Sequence, residues 1–125
     1  MIVSVGVDAV EVARIRGLLE RSRGRFERRV FTDTEAAYCR GRERPAESFA
    51  ARFAAKEAVI KCLGTGWAAG TGFRQIEVQR QVSGQPTVSL DGAAAATAAA
   101  LGIRRWHLSL THTQTVATAF VVAER

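Results

Sequence analysis

The chain lacks the features that mark disulfide-rich, membrane-spanning or disordered proteins. Its two cysteines, Cys39 and Cys62, are too few for a disulfide framework and lack zinc-site spacing, so we expect free thiols. No apolar run approaches the ~20 residues that a transmembrane helix needs. With 47% hydrophobic and 24% charged residues, the 125 residues have the composition of one soluble globular domain. The N-terminus has no basic leader and includes Asp8, so we expect a cytoplasmic protein without a signal peptide.

Lysine is also scarce, because the chain uses arginine sixteen times and lysine only twice. Both lysines, Lys56 and Lys61, lie in residues 53–66, FAAKEAVIKCLGTG, where Glu57 stands between them. An ion pair between Glu57 and Lys61, worth about 0.3–0.5 kcal/mol, explains their spacing but not the choice of lysine. Lysine is a compact point charge that can lose its proton, which suits a donor to a departing phosphate. No role for Lys56 follows from the pattern beyond contacting phosphate or supporting the fold.

The positive charge of the chain is unevenly distributed. The net charge is +6, and residues 14–29 contain seven arginines against two acids. This segment is either a solvated helical face or a docking patch for an acidic partner. An RNA-binding module is a rival interpretation, but the segment has one aromatic residue, Phe26, and no RNA-binding signature.

The hydrophobic pattern predicts an α+β fold with a mainly antiparallel sheet. Strands are predicted over residues 2–7, 73–82, 87–90, 106–111 and 116–124, with Asp8 closing the first strand and SGQP turning a hairpin. Helices are predicted over residues 10–19, 26–31, 32–42, 45–63 and 92–101. Thr32 and Glu35 match a capping box at the start of the third helix.

Two acids are candidates for metal binding. Asp8 and Glu57 can supply two oxygens to Mg²⁺, which typically takes one or two carboxylates and leaves positions for water and phosphate. The alternative for Asp8 is a cap of the following helix. Gly64 and Gly66 open a glycine-rich loop, GTGWAAGTG, that can approach phosphate but lacks the lysine-serine ending of a P-loop. On this chemistry alone, Mg²⁺-dependent phosphotransferases of any kind and nucleotide hydrolases are equal candidates.

Three stretches together resemble holo-(acyl carrier protein) synthase, the short bacterial type of 4′-phosphopantetheinyl transferase. They are GVDAVEV at residues 6–12, FAAKEAVIKCLGTG at residues 53–66 and SLTH at residues 109–112. The resemblance implies transfer of the phosphopantetheine arm of coenzyme A to a serine of an apo carrier protein, with release of adenosine 3′,5′-bisphosphate. It also implies a homotrimer with active sites between subunits, and neither nucleic acid nor membrane as a partner.

The resemblance also assigns roles by position. Asp8 and Glu57 match the family's magnesium ligands, and Lys61 matches a lysine near the diphosphate. His112 matches a histidine of the coenzyme A site, where we also expect Gly64, Gly66 and Arg52. Arg14, with Arg21 nearby, matches a basic position for docking an acidic carrier protein.

Some assignments stay open at the level of sequence. Thr111 stands where the family's S-x-S-H motif has its second serine, and Thr113 stands where an acid sometimes follows. The base that takes the serine proton is Glu57, a water on the metal, or His112. A basic cluster of Arg40, Arg42, Arg44 and Arg52 is a candidate for the 3′-phosphate of coenzyme A, across a subunit interface. His107 is interpreted as structural.

Overall fold

The computed structural model describes residues 1–66 and 70–125, and it has the predicted α+β architecture. The predicted glycine-rich loop therefore lies partly outside the described residues. Within them, no helix is both long and apolar enough to cross a membrane. The elements in chain order are β1 (Ile2–Glu11), α1 (Val12–Arg21), α2 (Arg25–Val30), α3 (Asp33–Arg40), α4 (Pro45–Leu63), a 3₁₀ turn (Phe73–Gln75), β2 (Ile76–Arg80), β3 (Pro86–Leu90), α5 (Gly92–Ala100), β4 (Arg105–His112) and β5 (Val116–Glu124).

The strands pair antiparallel, as the alternating pattern predicts, but they form two sheets rather than one. One has the order β1-β5-β4, and the other is the β2-β3 hairpin. Strand β1 continues to Glu11 and pairs Asp8 with Ala119 of β5. The prediction that Asp8 closes the first strand is therefore wrong, because pairing with a strand more than 100 residues away extends β1.

Helix α4 packs directly on the three-stranded sheet. A methyl group added at Gly6 of β1 would lie 2.1 Å from the carbonyl oxygen of Ala58, so glycine is required for this close approach. The hydroxyl of Ser4 donates to the Cys62 carbonyl at 2.8 Å nearby. The small residues on one side of α4 thus allow the helix to contact the strand that carries Asp8.

The predicted ends of the helices are largely confirmed. Helix α4 begins with Pro45 and ends before Gly64, whose φ of 77° is the left-handed conformation that favours glycine at a helix C-terminus. Thr32 and Glu35 form the predicted capping box of α3. Cys39 and Cys62 are free and buried, and burial raises the pKa of each thiol.

Lys56 is fully buried and supports the fold. Its ammonium donates to Glu35 Oε1 at 2.7 Å, to the Phe73 carbonyl at 3.0 Å and to the Ile76 carbonyl. Glu35 also accepts from the backbone N–H of Val78 at 2.7 Å. The pair therefore joins α3, α4 and the start of β2. Burial lowers the pKa of Lys56, and the charge of Glu35 opposes that change.

Candidate active site

Asp8 and Lys61 meet where α4 crosses β1. The Lys61 ammonium donates to Asp8 Oδ1 at 3.0 Å and to the Val7 carbonyl at 2.8 Å. The Asp8 side chain is 19% exposed, whereas that of Lys61 is 53% exposed. The aspartate is thus largely enclosed, and the lysine reaches it from solvent.

Glu57 lies one helical turn before Lys61 on α4 and is half-buried. The next residue, Ala58, is the one whose carbonyl abuts Gly6, two residues before Asp8. Both predicted metal ligands therefore belong to elements in direct contact. Within the described chain, no group of three or more histidine, cysteine or acidic side chains could hold a metal ion. A metal at this point is therefore limited to two carboxylates from one chain, with its remaining positions for water or phosphate oxygens.

A second cluster lies toward the N-terminal end of α4. A cavity of about 470 Å³ is lined by Arg52 and His112, two of the predicted coenzyme A residues. Arg42 and Arg44 line it too, as the basic cluster predicts, whereas Arg40 forms an ion pair with Glu27. Tyr38, Glu47 and Arg80 also line this cavity.

Arg52 is a buried cation with an incomplete set of partners. Its residue exposure is 4%, and its guanidinium lies 4.3 Å from the centre of the Tyr38 ring. Arg42 and Arg80 approach the same ring at 5.4 and 5.8 Å. Arg52 Nε has no hydrogen-bond partner in the part of the chain that the structure describes. Arg52 Nη1 donates to the Ser48 hydroxyl at 3.4 Å. Three guanidinium groups around one ring make this cavity suited to an anion.

His112 is held by Glu47 at the edge of this cavity. His112 Nδ1 lies 3.0 Å from Glu47 Oε1, and Arg44 lies 3.8 Å from the other carboxylate oxygen. The Glu47 side chain is only 8% exposed. Glu47 is not predictable from the sequence, because its partner His112 is 65 residues away and nothing in the local pattern marks the contact.

The two clusters are separated along α4. Arg52 precedes Lys61 by nine residues, about 14 Å of helix, and Glu47 precedes Lys61 by fourteen, about 21 Å. A single chain therefore brings Asp8 and Lys61 together, and separately brings Arg52 and His112 together. The predicted glycines lie near the first cluster: Gly64 and Gly66 are exposed, directly after the last turn of α4.

The predicted docking arginines lie on α1, where Arg14 and Arg21 are exposed. The Arg14 guanidinium is 5.6 Å from the centre of the Phe53 ring, and Phe26 is 6.0 Å from the same ring. Arg25 and Arg29 flank Phe26 around a shallow surface depression. These residues form a basic surface with aromatic groups, which we call the α1–α2 patch.

Comparisons with known proteins agree with this architecture. A sequence model of the 4′-phosphopantetheinyl transferase superfamily matches residues 4–121. The chain is 45% identical to a holo-[acyl-carrier-protein] synthase of Koribacter versatilis over 99% of both chains. It resembles the crystal structure of the holo-[acyl-carrier-protein] synthase of Neisseria meningitidis, with a TM-score of 0.91, 34% identity and full coverage of both chains. It also resembles the Helicobacter pylori synthase in complex with coenzyme A, with a TM-score of 0.85, 26% identity and coverage of 97% and 100%. The chain therefore belongs to the 4′-phosphopantetheinyl transferase superfamily of enzymes, as its motifs predict.

Proposed function

We propose that the chain transfers the 4′-phosphopantetheine group of coenzyme A to a serine hydroxyl of an apo acyl carrier protein in the cytoplasm. The other product is adenosine 3′,5′-bisphosphate. The observation that carries the proposal is the contact of Lys61 with Asp8, because it joins two separate family motifs at one point. The names of the relatives, and the coenzyme A bound to the Helicobacter pylori synthase, support the substrate assignment.

The carboxylates of Asp8 and Glu57 are proposed to hold Mg²⁺. The donor set fits this ion, since Asp8 is largely enclosed and already has a cation, the Lys61 ammonium, within hydrogen-bonding distance of its oxygen. When bound, Mg²⁺ supplies neutralisation of the diphosphate charge. Removal of the metal with a chelator is expected to abolish turnover.

Lys61 is proposed to neutralise or protonate the leaving phosphate. It is exposed enough to move from Asp8 to a nearby diphosphate, and an ammonium can donate a proton. His112 is disfavoured as the base for the same chain's Asp8–Lys61 site, because it is bound to Glu47 near the opposite end of α4. Glu57 is the better-placed side chain to accept the serine proton.

The cavity around Arg52 and His112 is proposed to bind the 3′-phosphate of coenzyme A. Arg42 and Arg44 provide donors for a dianion, and the buried Arg52 adds a further positive charge to the lining of the cavity. Gly64 and Gly66 are proposed to lie along the diphosphate instead, since they follow Lys61 by three and five residues.

The separation of the two clusters favours a homotrimer. One face of the β1-β5-β4 sheet packs on α4, and the other exposes Val5, Val7 and Phe120 to about half of their full accessible area. Exposed apolar surface of this kind marks an interface. Assembly through this face would allow the Arg52 cavity of one chain and the Asp8–Lys61 site of another to bind one coenzyme A.

The α1–α2 patch is proposed to dock the carrier protein. Acidic partners are attracted by basic surfaces, and this attraction weakens as salt screens it. We expect Arg14→Glu and Arg21→Glu to raise KM for the carrier protein and to flatten its dependence on salt. Unchanged KM values in both variants would remove the patch from the docking site.

The test is incubation with an apo carrier protein, coenzyme A and Mg²⁺, followed by intact mass spectrometry. Addition of one phosphopantetheine group to the carrier protein is the expected result. Asp8→Asn and Glu57→Gln should abolish the addition, whereas Arg104→Gln, an exposed substitution between α5 and β4, should not. No addition by a folded wild-type protein with several apo carrier proteins would refute the proposal.

A further inference from the structure

The contact between Lys61 and Asp8 has a property that the proposed chemistry does not require. One ammonium group contacts a carboxylate oxygen and a backbone carbonyl of the same strand, at 3.0 and 2.8 Å. Oxygens of these two kinds are also the ligands that a hard divalent cation prefers. Lys61 thus occupies one of the two oxygens of the Asp8 carboxylate, the group that the proposed metal site would use.

Lysine is well suited to this position. Its charge is compact and its four-carbon stem is flexible, whereas the fixed fork of arginine favours bidentate pairing with a carboxylate. The Lys61 side chain is 53% exposed, so it can leave Asp8 without disturbing the core. The contact therefore neutralises Asp8 reversibly. The other lysine has the opposite character, since Lys56 is fully buried with three acceptors.

We propose that Lys61 is an internal counter-ion that pairs with Asp8 when no divalent cation is bound and moves to the substrate diphosphate when one is. The inference rests on the proposed metal site. Because a divalent cation on Asp8 would repel the ammonium and the diphosphate would attract it, the side chain couples two binding events. Coenzyme A gives Lys61 an alternative anionic partner, frees Asp8 and so raises the affinity for the cation.

The first test measures binding of Mn²⁺, by the electron paramagnetic resonance of the free ion, with and without coenzyme A and in the absence of any carrier protein. Without coenzyme A, Lys61→Met is expected to bind Mn²⁺ roughly two- to fivefold more tightly than wild type, because the cation no longer displaces an ammonium. With coenzyme A, this advantage should disappear. Arg104→Met, which removes one exposed positive charge elsewhere, should behave as wild type in both conditions.

The outcomes separate the exchange from the metal site itself. Equal Mn²⁺ affinities of wild type and Lys61→Met without coenzyme A would refute the exchange alone. A gain that persists unchanged with coenzyme A would also refute it, because simple charge repulsion does not depend on a second partner for Lys61. No Mn²⁺ binding in any variant or condition would remove the proposed metal site and the exchange with it.

A second test uses the unmodified protein. Because the chain has only two lysines, isotope labelling of lysine gives only two side-chain ammonium signals in an NMR spectrum. Saturating Mg²⁺ is expected to shift the Lys61 signal and to speed its exchange with water, while the buried Lys56 signal stays in place as an internal control. A Lys61 signal that does not change at saturating Mg²⁺ would overturn the inference.

Discussion

Lys56→Met is expected to destabilise the protein far more than Lys61→Met, although each removes one lysine from one ion pair. Both partners of the Lys56–Glu35 pair are completely buried, so the substitution leaves a carboxylate in the core without its cation. Breaking such a pair costs about 3–5 kcal/mol. In the Lys61–Asp8 pair the lysine side chain is about half-exposed to solvent. Exposed ion pairs add about 0–1 kcal/mol to the free energy of unfolding.

A loss of about 3–5 kcal/mol is a large fraction of the stability of a small domain, which is typically about 5–15 kcal/mol. For a domain of this size, 1 kcal/mol corresponds to a shift of about 4 °C in Tm. Lys56→Met should therefore lower Tm by about 12–20 °C, and Lys61→Met by no more than about 4 °C. Urea denaturation, followed by far-ultraviolet circular dichroism, gives the free energies of unfolding directly. Protein concentration must be equal for all variants, because we propose a homotrimer.

A double-mutant cycle with Glu35→Gln isolates the interaction. The amide keeps an oxygen that can accept from the backbone N–H of Val78, while the negative charge is removed. We expect the double variant to lose about 1–3 kcal/mol less than the sum of the single losses. Additive losses, or equal losses for Lys56→Met and Lys61→Met, would refute the structural role of the pair.

Three further predictions follow from other contacts. Gly6→Ala should lower the free energy of unfolding by about 1–3 kcal/mol and reduce activity, since its methyl group would push α4 away from β1. Gly41→Ala is the control, because the nearest atoms to its added methyl group lie at 3.6 Å, and it should change neither property. Urea denaturation and the mass assay measure both. Arg52→Met should lower kcat/KM for coenzyme A by about 10- to 100-fold but leave dephospho-coenzyme A little affected, because we propose that Arg52 serves the 3′-phosphate. Equal effects on both substrates would contradict this role. The pKa of Glu77 is lowered mainly by the hydrogen bond from the Thr32 hydroxyl and secondly by the one from the Gln79 amide. The charged form of Glu77 therefore stabilises the fold above its ordinary pKa, and this contribution is lost as the pH falls through the lowered value. The difference in unfolding free energy between wild type and Glu77→Gln should therefore be larger at neutral pH than at pH 3, and an equal difference at both would count against it.

The sequence predicts those parts of the fold that depend on neighbouring residues. Pro45 and Gly64 set the two ends of α4, and Thr32 with Glu35 sets the start of α3, because these signals act within one helical turn. The hairpin is predicted for the same reason, since its turn lies between its own two strands. The bounds of β1 are predicted less well, because its last residues are fixed by pairing with β5.

In the candidate site, too, the sequence predicts some contacts and gives no sign of others. Family motifs place Asp8, Glu57 and Lys61 in one site, and the contact between Lys61 and Asp8 agrees with this expectation across 53 residues. The ion pair of Lys56 with Glu35 was not predictable, because the two residues are 21 apart and nothing in the sequence marks Glu35 as buried. The contact of Glu47 with His112 was missed for the same physical reason: side-chain partners brought together by tertiary packing leave no local pattern.

We propose that Asp8 and Glu57 hold a divalent cation beside a diphosphate that Lys61 contacts. A crystal structure with Mn²⁺ and coenzyme A, with the metal located from its anomalous scattering, would show this arrangement. We expect one Mn²⁺ within bonding distance of both carboxylates and of phosphate oxygens, with the Lys61 ammonium moved from Asp8 to the diphosphate. A metal bound elsewhere, or a diphosphate far from these side chains in the assembled protein, would contradict it.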